Sequence, residues 1–419
     1  MATSTTTVAD RIRVATFKRF LLGMYNQVIG HQFAQRKSIA AGKAGTAQFD
    51  KVIPLAVGDF AVNEESDVSA DSIYTTKVIA TPSKHGRAVT RNWEVYLTAE
   101  GFQDWKIMAN ESADQAAEYH DKLTMKLLAT NAYRIRADAD ATYSKDVTTT
   151  SDGAAGFTTF ISTGITEATG FWNGGYATIK ALDTAFLSRK AFWETRKITT
   201  QVTTTCTVPA FSAIIKTGCV IHLAVGTGIT ATDTLGLRQF GLAIRQLKRN
   251  RALRFDDAVL TEGTPKHREI HNIEPGSGGK YWAMIYNEDL EFDWMQSEKY
   301  VDMAVYQDKA MIINGTPKKY MATLIFGSTQ CYSEDVDGTE NLSSGAVHPV
   351  QFLGQEAYGL SCWAGKGMKP PYGVVLTLKE PTDFADYSRV KSSLAWQSFF
   401  AKTSLSSHSN VAILCGTTP

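Results

Sequence analysis

The chain has 419 residues, 43% hydrophobic and 20% charged, with a formal net charge of +1 at pH 7. That length suits two or three domains with ordinary cores, and the balanced charge excludes a molecule that is an electrostatic magnet for nucleic acid over its whole surface. No run of eighteen apolar residues is present to span a bilayer, and the opening MATSTTTVAD lacks the basic-then-apolar order of a signal peptide.

Residues 1 to 48 begin with Thr and Ser, then carry Arg11, Arg13, Lys18, Arg19, Arg36, Lys37 and Lys43 against Asp10 alone. Ile12, Val14, Phe17, Phe20, Leu21 and Met24 are interleaved at roughly helical spacing. Two readings stand: an amphipathic surface helix, or an arm lying on a neighbouring subunit. Residues 50 to 71 reverse the sign, with Asp50, Asp59, Glu64, Glu65, Asp67 and Asp71 facing only Lys51. The patterns FDKVIPLAVGDFAV and SIYTTKVIATPSKHGRAVT predict two strands with an acidic tip between them. A two-stranded finger cannot stabilise itself in water. Its acidic residues therefore either meet the basic arm across subunits or serve solubility alone.

The stretch Phe102 to Arg136 contains no proline and no glycine, and Trp105, Ala109, Ala113, Ala116, Leu123, Leu127 and Leu128 recur at the helical period. This predicts a helix over 102–136, about 45 Å long if some 30 of its residues are helical. Alanines crowd its seam and no heptad repeats, so a coiled coil is disfavoured. Residues 137–176 read as loops and turns. A second helix is expected over Ala177–Lys197, and strands within 198–234.

Leu235 to Arg254 returns to helix, with Leu237, Phe240, Ile244 and Leu247 as its apolar face. Its Arg238, Arg245, Lys248, Arg249, Arg251 and Arg254 make it the most basic stretch in the chain. Those charges are read as spread over more than one face, with no aromatic ladder, so sequence-specific reading of bases is not expected. YWAMIYN predicts a strand, followed by a short helix capped by Asn287 or Asp289. Asn314–Gly315 marks a hairpin. VQFLGQEAYGLSCWA, YGVVLTL, SLAWQSFFAKT and NVAILCGT supply further strands, and no fixed-period repeat appears.

Motifs that carry chemistry are weak. GSGGKY (276–281) lacks the first glycine and the Ser/Thr of a phosphate loop, and GTGITA (226–231) lacks the third glycine of a dinucleotide fingerprint. His267 and His271 lie four apart, but Arg268 stands where a metalloprotease glutamate belongs. GLSCW (359–363) is not a nucleophile elbow, because Trp363 replaces the last glycine. Glu64/Glu65 and Glu288/Asp289 read as solvated charge. Cys206, Cys219, Cys331, Cys362 and Cys415 show no CxxC pair and read as free thiols of a reducing compartment. No catalytic, cofactor or metal residue is therefore assigned.

The order of segments carries a resemblance. KVIATPSKHGRAVTRNWEVY leads into ADQAAEYHDKLTMKLLATNAY, then come LRQFGLAIRQLKRNRALRF and YWAMIYNEDLEFDWMQSEKYVDMAVYQ. AMIINGTPKKYMATLIFGSTQCYSE, VQFLGQEAYGLSCWAG and SLAWQSFFAKTSLSSHSNVAIL complete it. A basic arm, an acidic two-stranded finger, a long helix and a strand-rich remainder, in that order, resemble the major capsid proteins of tailed bacteriophages, and more specifically the podovirus N-four-like coat family. The resemblance implies an α+β chain with the Hong Kong 97-type capsid fold. It implies an N-terminal arm (1–49), an extended loop (50–85) and a peripheral domain (86–304) with spine helix 102–136 and a candidate insertion at 145–232. It also implies an axial domain (305–375) and strands returning to the peripheral domain (376–419).

The implied function is structural. Many copies would form pentamers and hexamers and close into an icosahedral head around double-stranded DNA, with portal and scaffolding or decoration proteins as partners, assembled in the host cytoplasm. Charge complementarity nominates Arg11, Arg13, Lys18 and Arg19 in the arm and Asp59, Glu64, Glu65 and Asp67 in the finger as contacts between subunits. Arg245, Lys248, Arg249 and Arg251 are nominated to face DNA or a neighbour. The rivals are a cellular nanocompartment shell of the same fold and a soluble α+β enzyme with an unrecognised site. Retained DNA separates the first rival, and a deep pocket with perturbed acids the second.

Overall fold

The computed structural model describes residues 17–21, 24, 28–40, 45–52, 75–92, 101–138, 140, 142–153, 158–180, 193–212, 215–255, 281–295, 319–341, 347–364, 373–379 and 391–417. In chain order its elements begin with β1 (Gln35–Ala40), β2 (Ala47–Val52), β3 (Thr75–Ala80), β4 (Ser83–Asn92) and helix α1 (Gly101–Thr130). Next come β5 (Tyr133–Arg136), β6 (Ser144–Thr148), β7 (Thr159–Ile161), β8 (Tyr176–Ile179) and β9 (Glu194–Lys197). Then follow β10 (Thr200–Val202), β11 (Thr205–Thr207), β12 (Val220–Ala224), helix α2 (Leu237–Arg249), β13 (Trp282–Asn287) and the short helix α3 (Glu291–Met295). The chain closes with β14 (Lys319–Tyr320), β15 (Thr323–Ser328), β16 (His348–Leu353), β17 (Tyr358–Ala364), β18 (Val374–Lys379), β19 (Lys391–Ser404) and β20 (Asn410–Cys415). The architecture is α+β and rich in strands.

Contacts divide the chain into two units. The first takes Met1–Gln48, Ile79–Thr124 and Gly359–Thr403. Its sheet runs β1-β17-β19-β18, with β4 also antiparallel to β19. β1 and β17 are parallel, Gln35 opposite Gly359 through Ala40 opposite Ala364. Met108 and Ala109 of α1 pack on Leu394 of β19. Ala113, Ala116 and Ala117 follow them into the interior, where small side chains let the helix lie close to its neighbours. Residues 17–21 are helical, and Phe20 and Met24 are fully buried, in keeping with an amphipathic segment there.

The second unit takes Phe49–Val78, Met125–Tyr358 and Ser404–Pro419. Its main sheet has six strands in the order β14-β15-β13-β16-β20-β5. α2 lies on this sheet. Phe240, Ala243, Ile244 and Leu247 are buried with Trp282, Met284, Phe352, Val411 and Ile413, and the Phe240 ring meets Phe352 edge-on at 5.3 Å. Each large side chain so buried contributes about 1.5–3 kcal/mol. Two smaller sheets, β6-β12-β8-β9 and β10-β11-β7, enclose a separate core that includes Phe160, Trp172, Ile179, Ile221 and Leu223. Most of the candidate insertion's described residues lie here. Close to this core the backbone at Gly174 (φ +77) presses on the Asp337–Gly338 turn (Gly338 φ +75), and a Cβ at either glycine would overlap the facing carbonyl oxygen.

Four expectations are corrected. The long helix stops at Thr130 and not at Arg136. Its last carbonyls are taken by side chains, with Thr130 Oγ1 donating to Lys126 O at 2.8 Å and Asn131 Nδ2 to Leu127 O at 2.9 Å. Tyr133–Arg136 then leaves as a strand paired with Val411–Leu414. The helix expected over Ala177–Lys197 is replaced at both ends by the antiparallel pair β8 and β9, and 181–192 lie outside the described residues. β8 is an inner strand between β12 and β9, and all four of its residues are buried, so both of its faces are covered and its sequence does not alternate. Residues 137–176, read as loops and turns, contain the short strands β6 and β7, each paired in one of the smaller sheets. The fourth correction concerns the basic helix and is given with the site below.

Other expectations hold. β13 and α2 lie within the stretches read for them. Asn287 caps the turn after β13, its side chain accepting from the Asp289 amide. All five cysteines are free and buried. Gly315 and its hairpin, His267, His271 and GSGGK lie outside the described residues. Among the described residues no helix is long and apolar enough to cross a membrane.

Candidate functional site

The residues nominated from the sequence fall into three groups. Arg11 and Arg13, with Asp59, Glu64, Glu65 and Asp67, lie outside the described residues. The root of the finger is described, since β2 and β3 pair as an isolated two-stranded sheet. Lys18 and Arg19 are exposed on the helical residues 17–21, and Arg19 Nε donates to Asn110 Oδ1 of α1 at 2.8 Å. That contact is within the chain, so Arg19 already has one partner that is not another subunit.

The third group is on and beside α2. The helix ends at Arg249, so Arg251 and Arg254 drop out of its helical count. At about 100° per residue, Arg238, Arg245, Lys248 and Arg249 fall within an arc of about 100°. The buried Phe240, Ala243, Ile244 and Leu247 occupy the opposite side. The charges are therefore gathered on one face, and the spread expected from the sequence came from counting six cations on a helix that holds four. All four are exposed, as is Arg251, which adopts a left-handed conformation with φ 55. Arg254 instead covers the Trp282 ring at 4.2 Å.

Two buried ionic clusters were not anticipated. In the first unit, Asp121 on α1 accepts from the amides of Ile29 at 3.0 Å and Gly30 at 2.8 Å. Burial raises its pKa, against the pull of these two amides and of Lys402. Lys402 on β19 donates to Thr124 Oγ1 at 2.5 Å and to the His120 carbonyl. Burial pushes its pKa down to about 7, and Asp121 opposes that shift in part. The cluster fastens the segment behind the basic arm to the helix. Gly30 lies so close to Thr124 that an added Cβ would stand 2.8 Å from it.

In the second unit, Arg134 of β5 and Glu334 form a salt bridge whose side chains are each 1% exposed. The guanidinium also donates to the Ala129 carbonyl at 3.0 Å, near the C-terminus of α1, and stacks on Tyr176 at 3.4 Å. The Glu334 charge and hydrogen bond raise the Arg134 pKa against the effect of burial. Arg136, two residues on, donates to the carbonyls of Val225 and Thr227, both at 2.6 Å, and at 2.9 Å to Asp138. The GTGITA loop thus turns the Thr227 carbonyl onto an arginine of its own chain, whereas a phosphate cradle would offer its amides. Ser361 of GLSCW is a fully buried residue inside β17. The one sequence signal for these clusters was polar residues on faces otherwise filled by Ala and Leu: His120, Asp121 and Thr124 on α1, and the paired arginines of YRIR.

No family model matches the chain, and no curated protein matches it. In fold it is similar to a chain of Mycobacterium phage Che8 at 11% identity and TM-score 0.45, covering 92% of this chain and 91% of that one. It is similar to the capsid of Ralstonia phage GP4 at 10% identity and TM-score 0.48, covering 92% and 88%. A third is the capsid structure of the cyanophage P-SCSP1u, at 8% identity and TM-score 0.45, covering 91% and 86%.

Proposed function

We propose that this chain is a major capsid protein of a tailed, double-stranded DNA bacteriophage, with the Hong Kong 97-type fold and of the N-four-like coat group. Its work is self-association and not catalysis, with portal and scaffolding or decoration proteins as further partners and the host cytoplasm as the place of assembly. The order of segments carries the reading: a basic, amphipathic start, a two-stranded ribbon, a 30-residue helix and a strand-rich remainder. The expected arm, extended loop, peripheral and axial parts belong to the proposal.

Physical chemistry supports self-association. β2 and β3 make a ribbon that two strands alone do not stabilise in water, and its sequence continues into an acidic tip. A second copy offering a basic segment answers both needs. Weak contacts repeated around a ring sum to a stable closed assembly while single errors stay reversible. Arg11, Arg13, Lys18 and Arg19 on one copy are assigned to Asp59, Glu64, Glu65 and Asp67 on the next.

Reversal of the finger charges in Glu64→Lys/Glu65→Lys/Asp67→Lys tests this directly. The wild-type protein is expected to form closed particles by negative-stain microscopy, and the variant to remain folded by circular dichroism yet unassembled. Normal heads from the variant would overturn the contact assignment. A wild-type protein that stays a compact monomer under all assembly conditions would overturn the capsid reading.

A further inference from the structure

Two of the four charges on α2, Arg238 and Arg245, gain nothing from the helix that carries them. Arg238 sits in the first turn, where the dipole is positive, and that turn holds no acidic residue. Arg245 is followed three and four residues later by Lys248 and Arg249, like charges on one face. Lys248 and Arg249 suit the negative end of the dipole, but Arg238 and Arg245 gain nothing from it. From residue 234 to 255 the sequence contains no Asp or Glu to offset them. Arg238, Arg245 and Lys248 therefore present a row of exposed positive charge on one face, and Arg249, which also acts on Tyr133 of its own chain, lies beside them.

The dimensions of that row indicate its partner. Arg238 to Arg249 spans about 16 Å along the axis at 1.5 Å per residue. Gly241 lies in the same face, and a Cβ there would meet nothing within 4 Å, so the row is open to close approach between Arg238 and Arg245. Arg251, two residues past the helix end, is exposed as well. Duplex DNA presents about one negative charge per 1.7 Å of axis, more than enough to pair every cation of the row. The exposed face offers no aromatic ring for stacking, which disfavours a single-strand platform.

We propose that this stripe, Arg238, Arg245, Lys248, Arg249 and Arg251, is a surface for the phosphate backbone of double-stranded nucleic acid, bound without regard to sequence. The identification of that nucleic acid as a packaged genome rests on the capsid reading, but the surface itself does not. Binding is through phosphates alone and is therefore steeply salt-dependent.

The test measures binding of a short fluorescent duplex to the unassembled full-length protein by anisotropy, across a salt series. For four to five phosphate contacts, log K is expected to fall against log salt with a slope of about −4. The variant Arg238→Gln/Arg245→Gln/Lys248→Gln/Arg249→Gln is expected to lose at least about tenfold in affinity and most of that slope. Its thermal midpoint should stay close to the wild type's, because relief of Arg238 and Arg245 offsets the loss of Lys248 and Arg249 from the negative end of the dipole, and this separates lost binding from lost folding. Lys122→Gln, an exposed lysine of α1, is the control expected to bind as wild type does. Unchanged affinity and slope in the four-residue variant would overturn the proposal. So would a wild-type protein that ignores the duplex and binds a synthetic peptide of residues 50–71 through the same residues. Duplex binding lost in the variant, with no particles formed by the wild type, would leave the surface standing and the capsid reading refuted.

Discussion

Replacing Glu334 by glutamine changes one charge and almost no volume, and the structure says what should follow. Glu334 and Arg134 are each 1% exposed, so the guanidinium would remain in the interior without its counter-ion. Breaking a buried pair from one side typically costs about 3–5 kcal/mol. Three contacts soften the loss. The glutamine oxygen can still accept one hydrogen bond, the Ala129 carbonyl stays at 3.0 Å, and the Tyr176 ring stays at 3.4 Å. The expected destabilisation of Glu334→Gln is therefore about 2–3 kcal/mol. Urea unfolding of the unassembled protein measures it, read by fluorescence. Trp172, Trp193, Trp282 and Trp294 are buried in the same unit and report on it. Arg134→Met is expected to cost a comparable amount by stranding the carboxylate. The double variant Arg134→Met/Glu334→Leu, which leaves no charge behind, should lose less than the sum of the single variants by at least about 1–2 kcal/mol. If Glu334→Gln unfolds within about 0.5 kcal/mol of wild type, or if the double variant simply adds, the pair is not coupled as described.

Two further outcomes are expected. Gly174→Ala should lower stability by about 2 kcal/mol or more, since the residue has φ +77 and its Cβ would overlap the Asp337 carbonyl oxygen; an unchanged thermal midpoint would show that the turn yields freely. Lys402, held down to about 7 by burial against 10.5 for a free lysine, binds a proton in the unfolded chain but not in the folded one between those values. Stability should therefore rise with pH across that window, and Lys402→Met should lose the rise. Parallel urea midpoints for the two proteins from pH about 7 to about 10 would refute the assignment.

The legible parts of the sequence were those with a strong local pattern, either a helix with one apolar face or a run of six or more mostly apolar residues. α2 announced itself through Phe240, Ile244 and Leu247 at helical spacing, and the strands of β13, β19 and β20 through runs of apolar residues between turn signals. The illegible parts were those set by neighbours far away in the chain. YRIR looks like the continuation of a helix, and only the free edge of β20, some 280 residues later, makes it a strand. YATI is four residues long and buried throughout, so it offers neither alternation nor an apolar run long enough to mark a strand. Arg134 gave no sign of its partner, because Glu334 lies 200 residues away in a loop.

The basic face of α2 lies between these cases. Its composition was plain, but its coherence depended on where the helix ends. Asn250 and the left-handed Arg251 decide that end, and no periodicity announces it.

By itself, then, the sequence determined the two main helices, the longer strands, and the alternation of basic, acidic and apolar segments, since these follow from local periodicity and charge. Tertiary structure alone decided which strands pair, where α1 gives way to β5, and which ions are buried together. Those choices depend on hydrogen-bond ladders and on desolvated charges finding partners, and both are satisfied across distances in the chain that local pattern does not encode.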